Sequence, residues 1–312
     1  MDLRSFKIHR LDRHVRVVLG DHRGEHARDL HGDAFERVQA AAMPLLDSLA
    51  ASAGAELRAV SIDGVAGVVR LTTATDPPTA LVLRGPEQTA LAGAIAPVSR
   101  AILAELRTRS PDLPGATPSQ AAFWDHLYRP DVDAGWELGR AAPPLVDYFT
   151  AHPPRGQRVL VLGCGRGHEA RLLAGLGATV TAIDLAPAAI AAAIAATPPE
   201  LGIDFRIGDL FELSRDPARH DLIAEHTCFC AIEPARRDEY VEQVAAALVP
   251  GGALVGLFYA HGRPGGPPFT VDEGELRARF GGRFTIDVLT PAVGSVLARE
   301  GQELLGRFIR RD

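Results

Sequence analysis

The sequence is nearly without lysine. Lys7 stands alone although Lys and Arg together number 33; with alanine so frequent, the bias reads as a GC-rich genome rather than as a function. Net charge is −6 and no stretch forms a basic block, so the cationic face that would neutralise phosphates is missing and no nucleic-acid partner is expected. Cysteine is scarce as well. The three that occur lie between 164 and 230 and give no disulfide framework. Long apolar runs are absent: the longest, Ala245 to Phe258, is broken by Pro250-Gly-Gly252, and a membrane span needs roughly 20 apolar residues. Met1 to Arg10 has no apolar core of signal-peptide length. These absences lead to the expectation of a cytoplasmic protein with no membrane partner. What is present, 312 residues of which 46% are apolar, suits one large or two modest globular domains.

The most informative stretch is Arg158-Val-Leu-Val-Leu-Gly-Cys-Gly-Arg-Gly-His168, followed by Thr179-Val-Thr-Ala-Ile-Asp184. Arg158 to Leu162 reads as a buried parallel strand that stops at Gly163, passes through a glycine turn and enters a helix. Glycines at 163, 165 and 167 let the backbone turn tightly and press against a ligand where a β-carbon would clash. Asp184 ends a second strand about 20 residues later, where a carboxylate can hold ribose hydroxyls. A dinucleotide fingerprint would place a small residue where this chain has the bulky His168. The loop therefore suits a nucleoside ligand without pyrophosphate, and an NAD-dependent oxidoreductase is disfavoured. S-adenosylmethionine is such a ligand, and this pattern resembles the class I S-adenosylmethionine-dependent methyltransferases.

Later segments extend the alternation. Asp204 to Leu210 reads as a third strand and its end, Asp221 to Glu225 as a fourth, Arg236 to Val249 as a helix with Pro250-Gly-Gly252 as its turn, and Ala253 to Tyr259 as a fifth strand. Arg283 to Leu289 and Leu304 to Arg310 alternate like an antiparallel pair. The expected fold class is α/β: a Rossmann-like class I methyltransferase with a seven-stranded, mostly parallel sheet ending in an antiparallel hairpin.

Residues 1–110 read as a separate, small α+β domain. Val15 to Leu19 suggests a strand, and Asp33 to Ala53 an amphipathic helix capped by Asp33 with Phe35, Val38, Ala41, Leu45, Leu46 and Leu49 on one face. Glu56 to Ile62 and Ala66 to Thr73 form a hairpin about Asp63-Gly64, Thr79 to Arg84 a further strand, and Glu87 to Thr108 a closing helix. This part carries no glycine loop, ligand cluster or paired acids. Two roles stay open for it: a dimerisation or packing extension, giving a homodimer, or a surface that selects the substrate. Residues 111–119, rich in proline and glycine, read as a linker, and 120–312 as the methyltransferase domain.

Trp124 and Trp136, the two tryptophans of the chain, fall just ahead of the glycine loop. A sulfonium cation favours aromatic faces, so an aromatic cover over the ligand makes physical sense; rings buried in a core would serve as well. Set beside Gly135-Trp-Glu-Leu-Gly, Leu162-Gly-Cys-Gly-Arg-Gly-His168, Phe229-Cys-Ala-Ile-Glu-Pro-Ala-Arg236, Gly265-Gly-Pro-Pro-Phe-Thr-Val271 and Arg299-Glu-Gly-Gln-Glu-Leu-Leu-Gly-Arg307, Trp124-Asp completes a series. The chain from about 120 to 312 resembles the thiopurine methyltransferase family, in particular its halide/thiol S-methyltransferase branch.

The resemblance implies methyl transfer from S-adenosyl-L-methionine to a sulfur nucleophile of a small molecule: a thiol, a thioether such as methionine, or a halide. N- or O-methylation of a small metabolite, and a non-catalytic S-adenosylmethionine-binding protein, are the alternatives. Carried over by position, cofactor contacts come from Trp124, Tyr128, Trp136, Gly163, Gly165, Asp184, Leu185, Asp209, Leu210 and His226. Catalytic candidates are His226 and Tyr128, with Arg140, Glu233 and Arg236 as further pocket residues. This chain departs from the pattern at Tyr128, where plant relatives carry tryptophan, and at His226, where the halide/thiol branch carries tyrosine and thiopurine enzymes arginine. Glu225 replaces their aspartate.

An activated methyl donor asks chiefly for alignment in a dry pocket. A thiol with pKa about 8.5 is only slightly ionised at neutral pH, so a base such as His226 would help; with a thioether acceptor, or as a partner of the cofactor carboxylate, the same residue would only position ligands. His226-x-Cys228-x-Cys230 supplies ligand types for zinc but leaves a fourth ligand unaccounted for, so no metal is expected.

Overall fold

The structure, a computed structural model, describes residues 2–9, 14–21, 24–64, 68–74, 80–83, 86–106, 117–128, 136–215, 220–297 and 299–312. Most of the expected linker, 111–116, lies outside the described residues. The chain divides into two units: Met1–Arg109 with Gly135–Gly139 and Ser295–Gly301, and Ser110–Ala134 with Arg140–Gly294 and Gln302–Asp312.

In the first unit, β1 (Asp2–His9), β2 (His14–Asp21) and β3 (Gly24–Leu30) lead into α1 (Gly32–Ala53); β4 (Leu57–Asp63), β5 (Val68–Thr73) and β6 (Ala80–Leu83) lead into α2 (Pro86–Leu106). The strands form one antiparallel sheet in the order β3-β2-β1-β4-β5-β6. The unit thus runs through the same βββα order twice, the two halves meeting at the β1·β4 pair, and each helix carries an internal proline, Pro44 and Pro97. Alternate residues of the sheet, Phe6, Ile8, Val15, Val17, Val60, Ile62, Val69 and Leu71, bury one face in a core with Phe35, Val38, Leu45, Leu46 and Leu49 of α1 and Ile95, Val98 and Ile102 of α2. Two expectations are corrected. β1 and β3 were not foreseen as strands, and α1 starts at Gly32 after an N-cap at His31 with no side-chain cap, leaving Asp33 in the first turn.

The second unit holds α3 (Ala121–Leu127), α4 (Pro143–Ala151), β7 (Arg158–Leu162), α5 (His168–Gly175), β8 (Thr179–Asp184), α6 (Pro187–Ala195), β9 (Asp204–Ile207), β10 (His220–His226), α7 (Arg237–Ala247), β11 (Leu248–Tyr259), α8 (Glu273–Phe280), β12 (Phe284–Pro291) and β13 (Glu303–Arg310). Its seven-stranded sheet has the order β12-β13-β11-β10-β7-β8-β9. Strands β9, β8, β7, β10 and β11 run parallel, while β13 pairs antiparallel with both β11 and β12. Pro250-Gly-Gly252 is a bulge inside a strand that already begins at Leu248: His220 faces Leu248 and Leu222 faces Ala253, so the turn residues are extra on one side. Phe229, Tyr240, Phe258, Phe280, Phe284 and Phe308 are fully buried and pack ring against ring on one face of this sheet, with centroids as close as 4.4 Å for Phe280 and Phe308. This rigid slab fixes the carboxyl ends of β10 and β11.

Among the described residues, no helix is long and apolar enough to cross a membrane.

Candidate active site

The buried run Val159, Leu160, Val161, Leu162 delivers the chain to Gly163 at the carboxyl edge of the sheet. Gly163 has φ 56° and Gly165 φ 53°, both left-handed. A β-carbon on Gly163 would lie 2.9 Å from Cys228 Sγ, and one on Gly165 would lie 2.9 Å from the Tyr128 hydroxyl. The loop is pinned to the next strand: Cys164 N–H donates to the Ile183 carbonyl at 2.9 Å, and Gly165 N–H donates to Asp184 Oδ2 at 2.8 Å. Asp184 Oδ1 accepts from Ala186 N–H at 2.9 Å. Burial pushes the Asp184 carboxyl up, against N–H donors at Ala186, Gly165 and Leu185. Each carboxylate oxygen has two acceptor sites, so this side chain braces the loop and still has capacity for hydroxyl donors. His168 faces its own helix, with Nδ1 2.8 Å from Arg171 Nη2. Cys164 is buried and its thiol pushed well up, which leaves it an inert packing residue.

Above the loop stands α3. Asp125 Oδ1 accepts from Ala188 N–H at 2.7 Å, supplying from a distant helix the cap that α6 lacks on its own N-terminus. That contact holds Tyr128 over Gly165, with the Arg166 guanidinium 6.0 Å from its ring. Trp124 lies one turn earlier on α3, edge-on to Phe123, its indole donating to the Pro118 carbonyl at 2.6 Å. Trp136 groups instead with the first unit, where its carbonyl accepts from Arg299 at 3.2 Å. At the end of β9, Asp209 Oδ1 accepts from Phe211 N–H at 2.9 Å and Leu210 packs against the aromatic core. Arg236 is paired with Glu239 and lies 3.4 Å over the Phe211 ring. The Glu233 carbonyl accepts from Arg236 N–H, and Arg140 is exposed.

β10 ends in the least expected arrangement. Glu225 is fully buried: Oε2 accepts from Cys228 and Phe229 N–H at 2.9 and 3.0 Å, while Oε1 has no hydrogen-bond partner. Burial outweighs those donors and raises its pKa to about 7. Thr227 next to His226 has φ 61°, a strained value for a β-branched residue. Replacing Thr227 by glycine is expected to raise stability by on the order of 1 kcal/mol in urea denaturation; an unchanged or lower midpoint would show that the strain is relaxed elsewhere.

The His226 side chain is 9% exposed, and its Nδ1 lies 3.1 Å from Glu169 Oε1. Glu169, in the first turn of α5, also accepts from Ala142 N–H at 3.0 Å. Burial alone would push this carboxyl up, but the hydrogen bond and charge of His226, together with the Ala142 N–H, hold it below the usual carboxylate range. On the other side of the ring, Nε2 is 3.9 Å from Glu303 Oε1 on β13. Sequence reasoning missed Glu169 and Glu303. Cys230 Sγ turns to the Thr227 carbonyl and Cys228 underlies Gly163; among the described residues, no group of three His, Cys, Asp or Glu is arranged to hold a metal ion.

The profile of the thiopurine S-methyltransferase (TPMT) family matches residues 119–306. The chain belongs to the thiopurine S-methyltransferase family. As a member it is an S-adenosylmethionine-dependent methyltransferase with the class I Rossmann-like fold, carrying an additional antiparallel sheet in residues that precede the family match. It is similar to thiocyanate methyltransferase 1 of Arabidopsis thaliana, 31% identical over 193 residues that cover 59% of this chain and 83% of that protein. It is also similar to a probable thiol methyltransferase 2 of the same plant, 31% identical over 55% of this chain and 78% of that protein. With the thiopurine S-methyltransferase of Aliivibrio fischeri it shares 30% identity, covering 58% of this chain and 96% of the relative. Among solved structures, one from work on the conversion of a disulfide bond into a thioacetal group during echinomycin biosynthesis superposes with TM-score 0.53 at 26% identity, over 62% of this chain and 93% of that one. The site fits the family's cofactor. Two loop glycines have no room for a β-carbon, a buried carboxylate ends β8, and an aromatic side chain stands over the loop.

Proposed function

We propose that this member of the family transfers the methyl group of S-adenosylmethionine to a sulfur nucleophile of a small molecule, with His226 on the acceptor side. The supporting observation is a buried histidine at the carboxyl end of β10, hydrogen-bonded to an ionised carboxylate, in a chain whose relatives are named for thiol, thiocyanate and thiopurine methylation. Bound at the glycine loop, the cofactor supplies an electrophilic methyl group. Gly163, Gly165, Asp184 and Leu185 form the cradle in this reading, Asp209 and Leu210 its far end, and Tyr128 with Trp124 the aromatic cover; Trp136 is assigned to the cofactor by the family pattern alone. The protein's own contribution is alignment and exclusion of water, which suffices for much of the rate in a displacement with so reactive a donor.

The test is transfer from methyl-labelled S-adenosylmethionine to small thiols, thioethers, amines and phenols. Label on sulfur is the expected result. Label appearing only on nitrogen or oxygen acceptors would contradict the reading.

A further inference from the structure

Just past the end of β11 the chain builds a fixed cation. Phe258 sends its ring into the aromatic slab, so Tyr259 lies on the opposite face of the sheet. Glu303, its register partner on β13, shares that face. So does His226, because Glu225 before it points to the slab side: a β-carbon on Gly256 would meet Glu225 Oε1 at 2.8 Å and the Phe258 ring at 2.9 Å. His226 is level with Leu257 in the β10·β11 register; at about 3.3 Å per residue, Tyr259 stands roughly 7 Å farther toward the carboxyl edge.

The residues that follow turn back onto this tyrosine. Arg263 N–H and Nε–H both donate to His261 Nδ1, at 3.1 and 3.2 Å, and Arg263 Nη2 donates to the Tyr259 hydroxyl at 3.1 Å. Because Nδ1 accepts, the ring hydrogen of His261 sits on Nε2, which donates to the Pro268 carbonyl at 3.2 Å. His261 is buried, and burial together with the Arg263 charge holds its pKa below the ordinary value, which keeps the ring a neutral acceptor. One edge of the guanidinium, Nε with Nη2, is thereby fastened to the protein. The other edge, Nη1 with Nη2, keeps two parallel N–H groups. Arg263 is exposed, and among the described residues no carboxylate pairs with it.

We propose that Arg263 is a specificity-determining residue that binds a carboxylate of the acceptor, so that the preferred substrate is a small molecule with its sulfur at one end and a carboxylate at the other. The inference rests on the sulfur-methyltransferase reading above and narrows its acceptor. A planar carboxylate meets the free edge of the guanidinium with two parallel hydrogen bonds. A lysine would offer the charge without the fork. His261 and Tyr259 are the positioning residues that aim it. Beside His226 the neighbouring acids are Glu169 and Glu303, so a cation set apart from them sorts the two ends of the acceptor, its carboxylate toward Arg263 and its sulfur toward His226. The rise along β11 leaves room for a short carbon chain between the two.

The test compares two thiols of matched length, 3-mercaptopropionate and 3-mercapto-1-propanol, as acceptors from methyl-labelled S-adenosylmethionine, with S-adenosylhomocysteine binding measured by calorimetry alongside. In the wild-type protein kcat/KM for the acid should exceed that for the alcohol by at least about 10-fold, with the difference lying in KM. In Arg263→Met the ratio should fall to about 1, and in Arg263→Lys it should be partly restored. Taken between two substrates of one protein, this ratio does not depend on how much of a variant is folded. Arg263→Glu should turn the preference over, so that cysteamine, a cationic thiol, outruns the acid. Equal kcat/KM for the two thiols in the wild type, or a preference for the acid that survives in Arg263→Met, overturns the proposal and leaves sulfur methylation standing. No transfer to either thiol by a wild-type protein that binds S-adenosylhomocysteine overturns sulfur methylation, and the proposal with it.

Discussion

Replacing Gly165 by valine is expected to weaken S-adenosylmethionine binding by at least roughly 10²-fold while circular dichroism stays that of the wild type. The backbone at this position has φ 53°, a region in which a β-branched residue is strained by about 1–3 kcal/mol. The new β-carbon would in addition stand 2.9 Å from the Tyr128 hydroxyl, so either the aromatic cover lifts or the loop moves. If the loop moves, the Gly165 N–H leaves Asp184, and a carboxylate that is 7% exposed loses one of the donors that offset its burial. Each consequence falls on the cradle, while the phenylalanine-rich core that holds the sheet is untouched. Isothermal calorimetry with S-adenosylmethionine and S-adenosylhomocysteine measures the effect. Wild-type affinity in the valine variant would mean that the nucleoside binds elsewhere.

Glu225→Gln is expected to change how stability depends on pH. The folded protein holds this carboxyl at about 7 against an ordinary value of 4.5. Between those values the folded state binds more protons at this group than the unfolded chain does, so stability from this source is full below about pH 4.5 and is lost as pH rises through 7. At about 1.4 kcal/mol per pH unit the window corresponds to roughly 3 kcal/mol. Glutamine cannot ionise. It keeps an acceptor for the Cys228 and Phe229 N–H groups, but its amide nitrogen takes the place of the unpartnered Oε1, packed where a β-carbon on Gly256 would approach to 2.8 Å. Its absolute stability therefore combines two opposing effects, and the change with pH is the clean readout. From pH 5 to pH 8 the variant should gain on the wild type by up to about 3 kcal/mol in urea denaturation. Parallel stability curves would show that Glu225 is not protonated in the folded protein.

How far these features could be read in advance depended on the physical signal each element carries. The parallel strands β7 and β8 are short apolar runs closed by glycine or aspartate, and the antiparallel β12 and β13 alternate; such patterns survive in one sequence. β1 buries Leu3, Phe6 and Ile8, but a register shift between Leu3 and Ser5 breaks the two-residue period, which is lost over so short a stretch. β3, Gly-Glu-His-Ala-Arg-Asp-Leu, is an edge strand whose described side chains are exposed except for Leu30, so no hydrophobic period exists to be found. Pro250-Gly-Gly252 was legible as a chain reversal but not as a bulge, because the strand pairing on either side of it is set by the neighbouring strand.

In the candidate site, the glycine spacing declared itself through a left-handed backbone at Gly163, Gly165 and Gly167 that few other residues adopt. Glu169 and Glu303 did not. They are separated by more than a hundred residues in sequence, each looks like an ordinary surface charge, and only the sheet order brings α5 and β13 to opposite sides of His226. A signal was nevertheless present for Glu303, an acid in a strand whose neighbours alternate into the core.

The central claim is tested most directly by incubating the intact protein with methyl-labelled S-adenosylmethionine and 2-mercaptoethanol and identifying the labelled product. The proposed sulfur methylation predicts a methyl thioether formed in step with S-adenosylhomocysteine. Label that stays on the donor, in a protein shown by calorimetry to bind it, would contradict the account.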